Sequence, residues 1–137
     1  MNKAEAIEPE GGWVRARANC YPEHIFKQIE IGAQDDIDVI NSEHNLDEAA
    51  KFMLQPNSSG NFFTVYRTVN RVTREVKFYI TRDGMRIVKD DGEEIKVTLT
   101  LNNYGQCRLK VNGEELEQWQ VRRLALEGLF FLGGWDL

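Results

Sequence analysis

Residues 76–88 read Val-Lys-Phe-Tyr-Ile-Thr-Arg-Asp-Gly-Met-Arg-Ile-Val. Val76, Phe78 and Ile80 alternate with Lys77, Tyr79 and Thr81, and Met85 and Ile87 resume the alternation beyond Asp83-Gly84. A period of two sends successive side chains to opposite faces of an extended chain. Asp-Gly between two such runs is a hairpin signal. The stretch therefore reads as two antiparallel strands with one apolar face.

The same pattern extends both ways. Upstream, Phe52 and Leu54 alternate with Lys51, Met53 and Gln55, and Phe63, Val65 and Val69 alternate with Thr64, Tyr66 and Thr68. Downstream, Ile95, Val97, Leu99 and Leu101 alternate with Lys96, Thr98 and Thr100, and Cys107, Leu109 and Val111 with Gln106, Arg108 and Lys110. Turn-forming clusters separate the runs at 56–61, 90–92, 102–105 and 112–113. Strict alternation over short strands with short turns predicts an antiparallel meander of six to seven strands, one face buried and one wet. Arg67 breaks the pattern, because it is in phase with Val65 and Val69. A bulge that resets the register, or a buried arginine with an acidic partner, would account for it.

Helical periodicity flanks the meander. Pro22 is a helix start, with its backbone angle already suited to the first turn. Phe26, Ile29, Ala33, Ile37 and Ile40 then recur at three- and four-residue spacing, predicting an amphipathic helix over 22–43 with a weak point at Gly32. Asn45 with Glu48 can cap a further helical turn, and Asn112 with Glu115 can cap the next helix. Residues 116–132, LEQWQVRRLALEGLFFL, form the most apolar run. Val121, Leu124, Ala125, Gly128, Phe131 and Leu132 make one stripe, and Trp119, Leu126 and Phe130 a second beside it. On this reading Trp119, Leu124 and Phe131 are core residues, and Gly133-Gly134 ends the helix. Residues 13–20 alternate Val14, Ala16, Ala18 and Cys20 with Arg15, Arg17 and Asn19, a short strand by period, although Ala and Arg favour helix.

The fold class is thus α+β: an antiparallel meander packed on an N-terminal helical segment and a C-terminal helix. One domain spans 13–137, behind a loose tail at 1–12 that holds Pro9, Gly11, Gly12 and three acids. The order strand, helix, meander, long helix resembles the helix-grip (START-like) architecture. That resemblance implies a curved sheet around the last helix, often with an apolar cavity between them. It rests on element order alone and implies no activity.

The 137 residues suffice for one core. The net charge of −5 is too small to identify a partner, but its distribution is uneven. Residues 1–50 hold 4 basic and 11 acidic side chains, whereas 62–89 hold 7 basic and 2 acidic ones. No leader-like apolar segment opens the chain and no run is long enough to span a bilayer, so a cytoplasmic protein without membrane association is expected. Cys20 and Cys107 are then expected as free thiols, and Asn57-Ser58-Ser59 carries no glycan.

Catalytic constellations are lacking. Cys20 and His24 have no zinc-like spacing and no second pair, and a cysteine nucleophile would need an orienting group that the sequence does not supply. Asp35 and Asp38 share a helix face, yet a solvated face is the commoner meaning of such acids. No nucleotide-binding glycine pattern occurs. The expectation is no cofactor, no metal and no catalytic residue.

Two surfaces suit binding. Phe130, Phe131, Leu132, Trp135 and Leu137 form an apolar surplus at the C-terminus, and Trp119, Leu126, Phe130 and Trp135 make the surface fit for an apolar small molecule or a protein partner, a second copy included. The wet sheet face carries Tyr66, Lys77, Tyr79, Arg86, Lys96, Arg108 and Lys110, the ingredients of nucleic-acid binding, although no RNA-recognition run accompanies them. The expected protein is a non-catalytic binder that uses a helix–sheet groove or its C-terminal apolar surface. The alternatives are an interaction module, such as an acidic secretion chaperone or inhibitor, and a nucleic-acid binder.

Overall fold

A computed structural model describes residues 8–132. Three helices and seven strands follow one another as α1 (Trp13–Asn19), α2 (Pro22–Glu43), β1 (Met53–Pro56), β2 (Phe62–Val69), β3 (Val72–Thr81), β4 (Gly84–Val88), β5 (Glu94–Leu101), β6 (Cys107–Val111), β7 (Glu114–Leu116) and α3 (Gln118–Glu127). A π-helical turn, Gly128–Leu132, extends α3. The strands pair in sequence order as one seven-stranded antiparallel sheet. This is the α+β meander that the alternation predicts.

Register explains which side chains go inside. Phe63 faces Phe78, Phe78 faces Ile87, and Ile87 faces Ile95. Val65 with Val76 lies on one side of this row, and Met85 with Val97 on the other. These side chains share one core with Ile29, Ala33, Ile37 and Ile40 of α2 and with Val121, Ala125, Leu126 and Leu129 of the C-terminal helix. Both long helices thus cover the same sheet face. Ile80 and Leu99 lie at the margin of the core, half-buried.

Several expectations are corrected. Residues 13–19 are helix, not strand: the apparent period of two came from small alanines between long arginines, with little of the β-branched bulk that favours a strand. The helix-grip order therefore lacks its leading strand. α1 buries none of its side chains. α2 runs unbroken through Gly32. Residues 44–50 turn without forming helix. Asn112-Gly113 is a hairpin turn with both residues at positive φ, so the chain enters β7 rather than a helix. The reciprocal cap of α3 is instead Glu117 with Gln120. The expectation of a loose tail over 1–12 falls partly outside the described residues, but Pro9 lies against Gly105 in the β5–β6 turn.

Cys20 and Cys107 are joined in a disulfide across 87 residues, which overturns the expectation of free thiols. The bond ties the α1–α2 junction to the start of β6. Sequence separation conceals such a pair, since only the meander's course brings β6 beside the first helices.

Arg67 is correctly placed on the inner face, and no bulge resets it: β2 pairs with β3 continuously from Phe62 to Val69. The side chain is buried. Its Nε donates to the Ala50 carbonyl, and its guanidinium stands 5.0 Å from the centre of the Phe52 ring. Burial disfavours its charge and pulls its pKa below the ordinary arginine value.

Candidate functional site

The C-terminal helix carries the site because its apolar residues divide between two faces. Val121, Ala125, Leu126 and Leu129 point into the core. Trp119, Leu124 and Phe131 instead stay 54%, 45% and 61% exposed, which corrects the expectation that they are core residues. The π-helical turn contributes to this division. Its extra residue per turn delays the return of each side chain to the core face. Leu129 is thereby fully buried, Phe130 half-buried and Phe131 turned out to solvent.

Phe131 meets the end of α2. Its ring centre is 5.9 Å from that of His44 and 6.4 Å from that of Phe130. Phe130 packs edge-on against the buried Phe52 ring at 4.8 Å. On α2, Val39 is 59% exposed beside the buried Ile40. Val39, Ile40, Trp119, Leu126, Phe130 and Phe131 line a groove of about 620 Å³ between the two helices.

Two polar ties set the spacing of its walls. Gln118 Nε2 donates to Gln28 Oε1 at 2.6 Å near the start of α3. One turn along, Arg122 Nε donates to Asp36 Oδ2 at 2.7 Å. A Cβ on Gly32 would overlap the Arg122 guanidinium. That glycine therefore has a packing reason: it lets Arg122 lie against α2. Arg123 Nε pairs with Glu127 at 2.9 Å on the solvent side.

A second groove, about 960 Å³, lies on the other flank of α3 against the sheet end. It shares Trp119 with the first but mixes apolar walls with Lys89, Asp90, Asp91, Glu114 and Glu127. Leu124 borders it. This is where a helix–sheet groove exists, and it is the more polar of the two.

Of the residues singled out on the C-terminal surface, the structure brings Trp119, Leu126 and Phe130 to one groove, Leu126 as its buried floor. Trp135 and Gly133-Gly134 lie outside the described residues. Val39 is not among the residues expected there, and Phe131, expected also as core, lies on the groove instead. Val39 lies on α2 clear of the five-residue stripe that predicted the buried face, a signal that an apolar side chain was left out of the core.

The seven residues of the basic sheet face do share the face that the helices leave open. Tyr79 stands opposite Arg86, and Arg86 opposite Lys96. The Arg86 guanidinium lies 5.1 Å from the Tyr79 ring centre, and its Nε is 2.7 Å from Glu94. Lys77 stands 3.8 Å from Glu75. Arg108 pairs with Glu115 at 3.5 Å and Glu117 at 2.9 Å. Three of the five cations are thus matched by acids, leaving Lys96 and Lys110 on β5 and β6, three and four strands away from Tyr66 on β2. Such a face is close to charge-neutral rather than a phosphate track.

The residues considered for chemistry are used otherwise. Cys20 has no thiol to offer. Its neighbour His24 lies 3.0 Å from Gln28 by Nε2. Asp38 accepts from Gln34 at 3.0 Å. Among the described residues, no three or more His, Cys, Asp or Glu side chains gather in a metal-holding group, and no helix is long and apolar enough to cross a membrane.

No protein-family model, curated protein or solved structure matches the chain.

Proposed function

We propose that the protein is a non-catalytic binding protein whose α2–α3 groove receives an apolar segment of another protein. One observation carries this reading: Val39, Trp119 and Phe131, each more than half exposed, converge on a single groove with an apolar floor. Exposed apolar side chains scattered singly are ordinary, but a contiguous set suggests a contact surface. A protein segment suits it better than a small apolar ligand. Small ligands are held by concave sites that bury most of their surface. Here the walls are two helices, and the aromatic rims face water.

The test is site-specific cross-linking in the native cell. A photoreactive residue at Phe131 should give one discrete protein adduct, and the same group at Lys96 on the opposite sheet face should not. Native mass spectrometry of the freshly purified protein should show no stoichiometric small molecule. A retained apolar compound lost in Trp119→Ala would transfer the groove to ligand binding. Equal, diffuse labelling at both positions would end the proposal.

A further inference from the structure

We infer that the occupant of the α2–α3 groove is a basic amphipathic helix of a partner protein. The inference rests on the proposal that this groove binds a protein segment, and it adds the segment's form and charge.

The form follows from the walls. From Trp119 to Phe131 the C-terminal helix rises about 18 Å, close to three helical turns. Two parallel ridges of that length accept a third helix lying along them, with apolar anchors at i, i+3 or i+4, and i+7. An extended strand would leave its backbone groups facing apolar walls with no edge to pair with.

The charge follows from what the walls leave unmatched. Asp36 is neutralised by Arg122, and Glu127 by Arg123. Both cations of α3 are thereby engaged. Glu43 also lines the groove, and among the described residues no cation lies within 4.0 Å of it. Asp35 lies one turn before Val39 at the solvent side of α2, outside the groove lining, and Asp38 faces further round the helix, where it accepts from Gln34; among the described residues neither is in a salt bridge. The lone lysine of α2, Lys27, is taken by Glu30. Six acids and one lysine occur in α2 as a whole. The α2 rim is therefore an uncompensated negative edge beside an apolar floor. A helix that laid Lys or Arg along this edge would gain complementary charge, and an acidic one would be repelled.

Peptide titration of the full chain tests this. Fluorescein-labelled helical peptides of about 18 residues carry the same leucine stripe and differ only in Lys, Gln or Glu at the polar positions. The Lys peptide should bind at least about tenfold tighter than the Gln peptide in low salt, with the Glu peptide weakest, and the gap should narrow in about 0.3 M salt. The triple variant Asp35→Asn/Asp38→Asn/Glu43→Gln should bring the Lys–Gln gap below about threefold at an unchanged melting temperature. Trp119→Ala/Phe131→Ala should weaken the Lys and Gln peptides alike. Equal binding of Lys and Gln peptides, still sensitive to Trp119→Ala/Phe131→Ala, would overturn the basic partner and leave the groove proposal standing. Peptide binding indifferent to Trp119 and Phe131 would overturn both. A dimer in sedimentation that Phe131→Ala dissociates would show a second copy to be the occupant and end the inference.

Discussion

Asn41 holds Phe52 by both of its backbone groups: the Phe52 N–H donates to Asn41 Oδ1 at 2.8 Å, and Asn41 Nδ2 donates to the Phe52 carbonyl at 3.0 Å. The side-chain amide completes the peptide's bonding just where the chain leaves α2 for β1. It thereby fixes the ring against which Arg67 and Phe130 pack. Asn41→Ala should cost about 2–3 kcal/mol, since two half-buried backbone groups lose their partners. Asn41→Asp keeps the acceptor and loses the donor, and should fall between the parent and the alanine variant in urea unfolding.

The disulfide closes a loop of 87 residues, so chain entropy alone assigns it about 4–5 kcal/mol. Unfolding in urea with and without a dithiol reductant should differ by an amount of that order. Cys20→Ser/Cys107→Ser should reproduce the reduced curve and no longer respond to reductant. Identical curves would mean that residual structure already restricts the reduced, unfolded chain.

Gly84 opens β4 where a Cβ would overlap the Val97 carbonyl oxygen, a backbone atom that cannot swing aside. Gly84→Ala should therefore cost about 2–4 kcal/mol, well beyond a normal surface substitution. Gly92, with open space around it, serves as the control, though its own positive φ sets a smaller penalty.

Arg71 occupies the second position of the Asn70-Arg71 turn at φ 67°, a left-handed conformation that costs a non-glycine residue about 1 kcal/mol. Arg71→Gly should raise stability by about 0.5–1 kcal/mol, because Asn-Gly is the preferred pair for such a hairpin. The change is read as a shift in denaturation midpoint at constant slope.

Phe131→Ala should cost less than about 1 kcal/mol, because its ring is largely in water. Leu129→Ala, two residues away, should cost about 2–5 kcal/mol, since that side chain is fully buried. Thermal melts of the pair separate the contact surface from the core.

The sheet was legible because alternation is a property of each strand by itself, and turn residues such as Asn112-Gly113 mark where one strand stops. The site was less legible because steps of three and steps of four do not rotate equally. A step of three turns the helix about −60°, and a step of four about +40°. Val121 to Leu124 is a step of three, so Leu124 leaves the face that Val121 and Ala125 share. Phe131 was misjudged similarly, and the π-helical turn added a shift that spacing does not announce. The free thiols were inferred from an expected reducing compartment rather than from the fold, and the structure pairs them. α1 was ambiguous because nothing in it is buried, and without burial neither period is selected.

The order of elements has a consequence during synthesis. α2 leaves the ribosome before any strand, with Phe26, Ile29, Ala33, Ile37 and Ile40 on one face. Its covers in the sheet, β1, β3 and β4, end at Val88, and its other cover, α3, follows later still. At about 5–20 residues per second, the interval from Ile40 to Val88 lasts about 2–10 s. Each hairpin, by contrast, can zip in about 1–10 μs once its residues are free. The nascent chain therefore passes through a window, set by translation rather than by folding, in which a sticky amphipathic helix waits for its sheet, and slower decoding of 41–88 would prolong its exposure to chaperones and to other nascent chains.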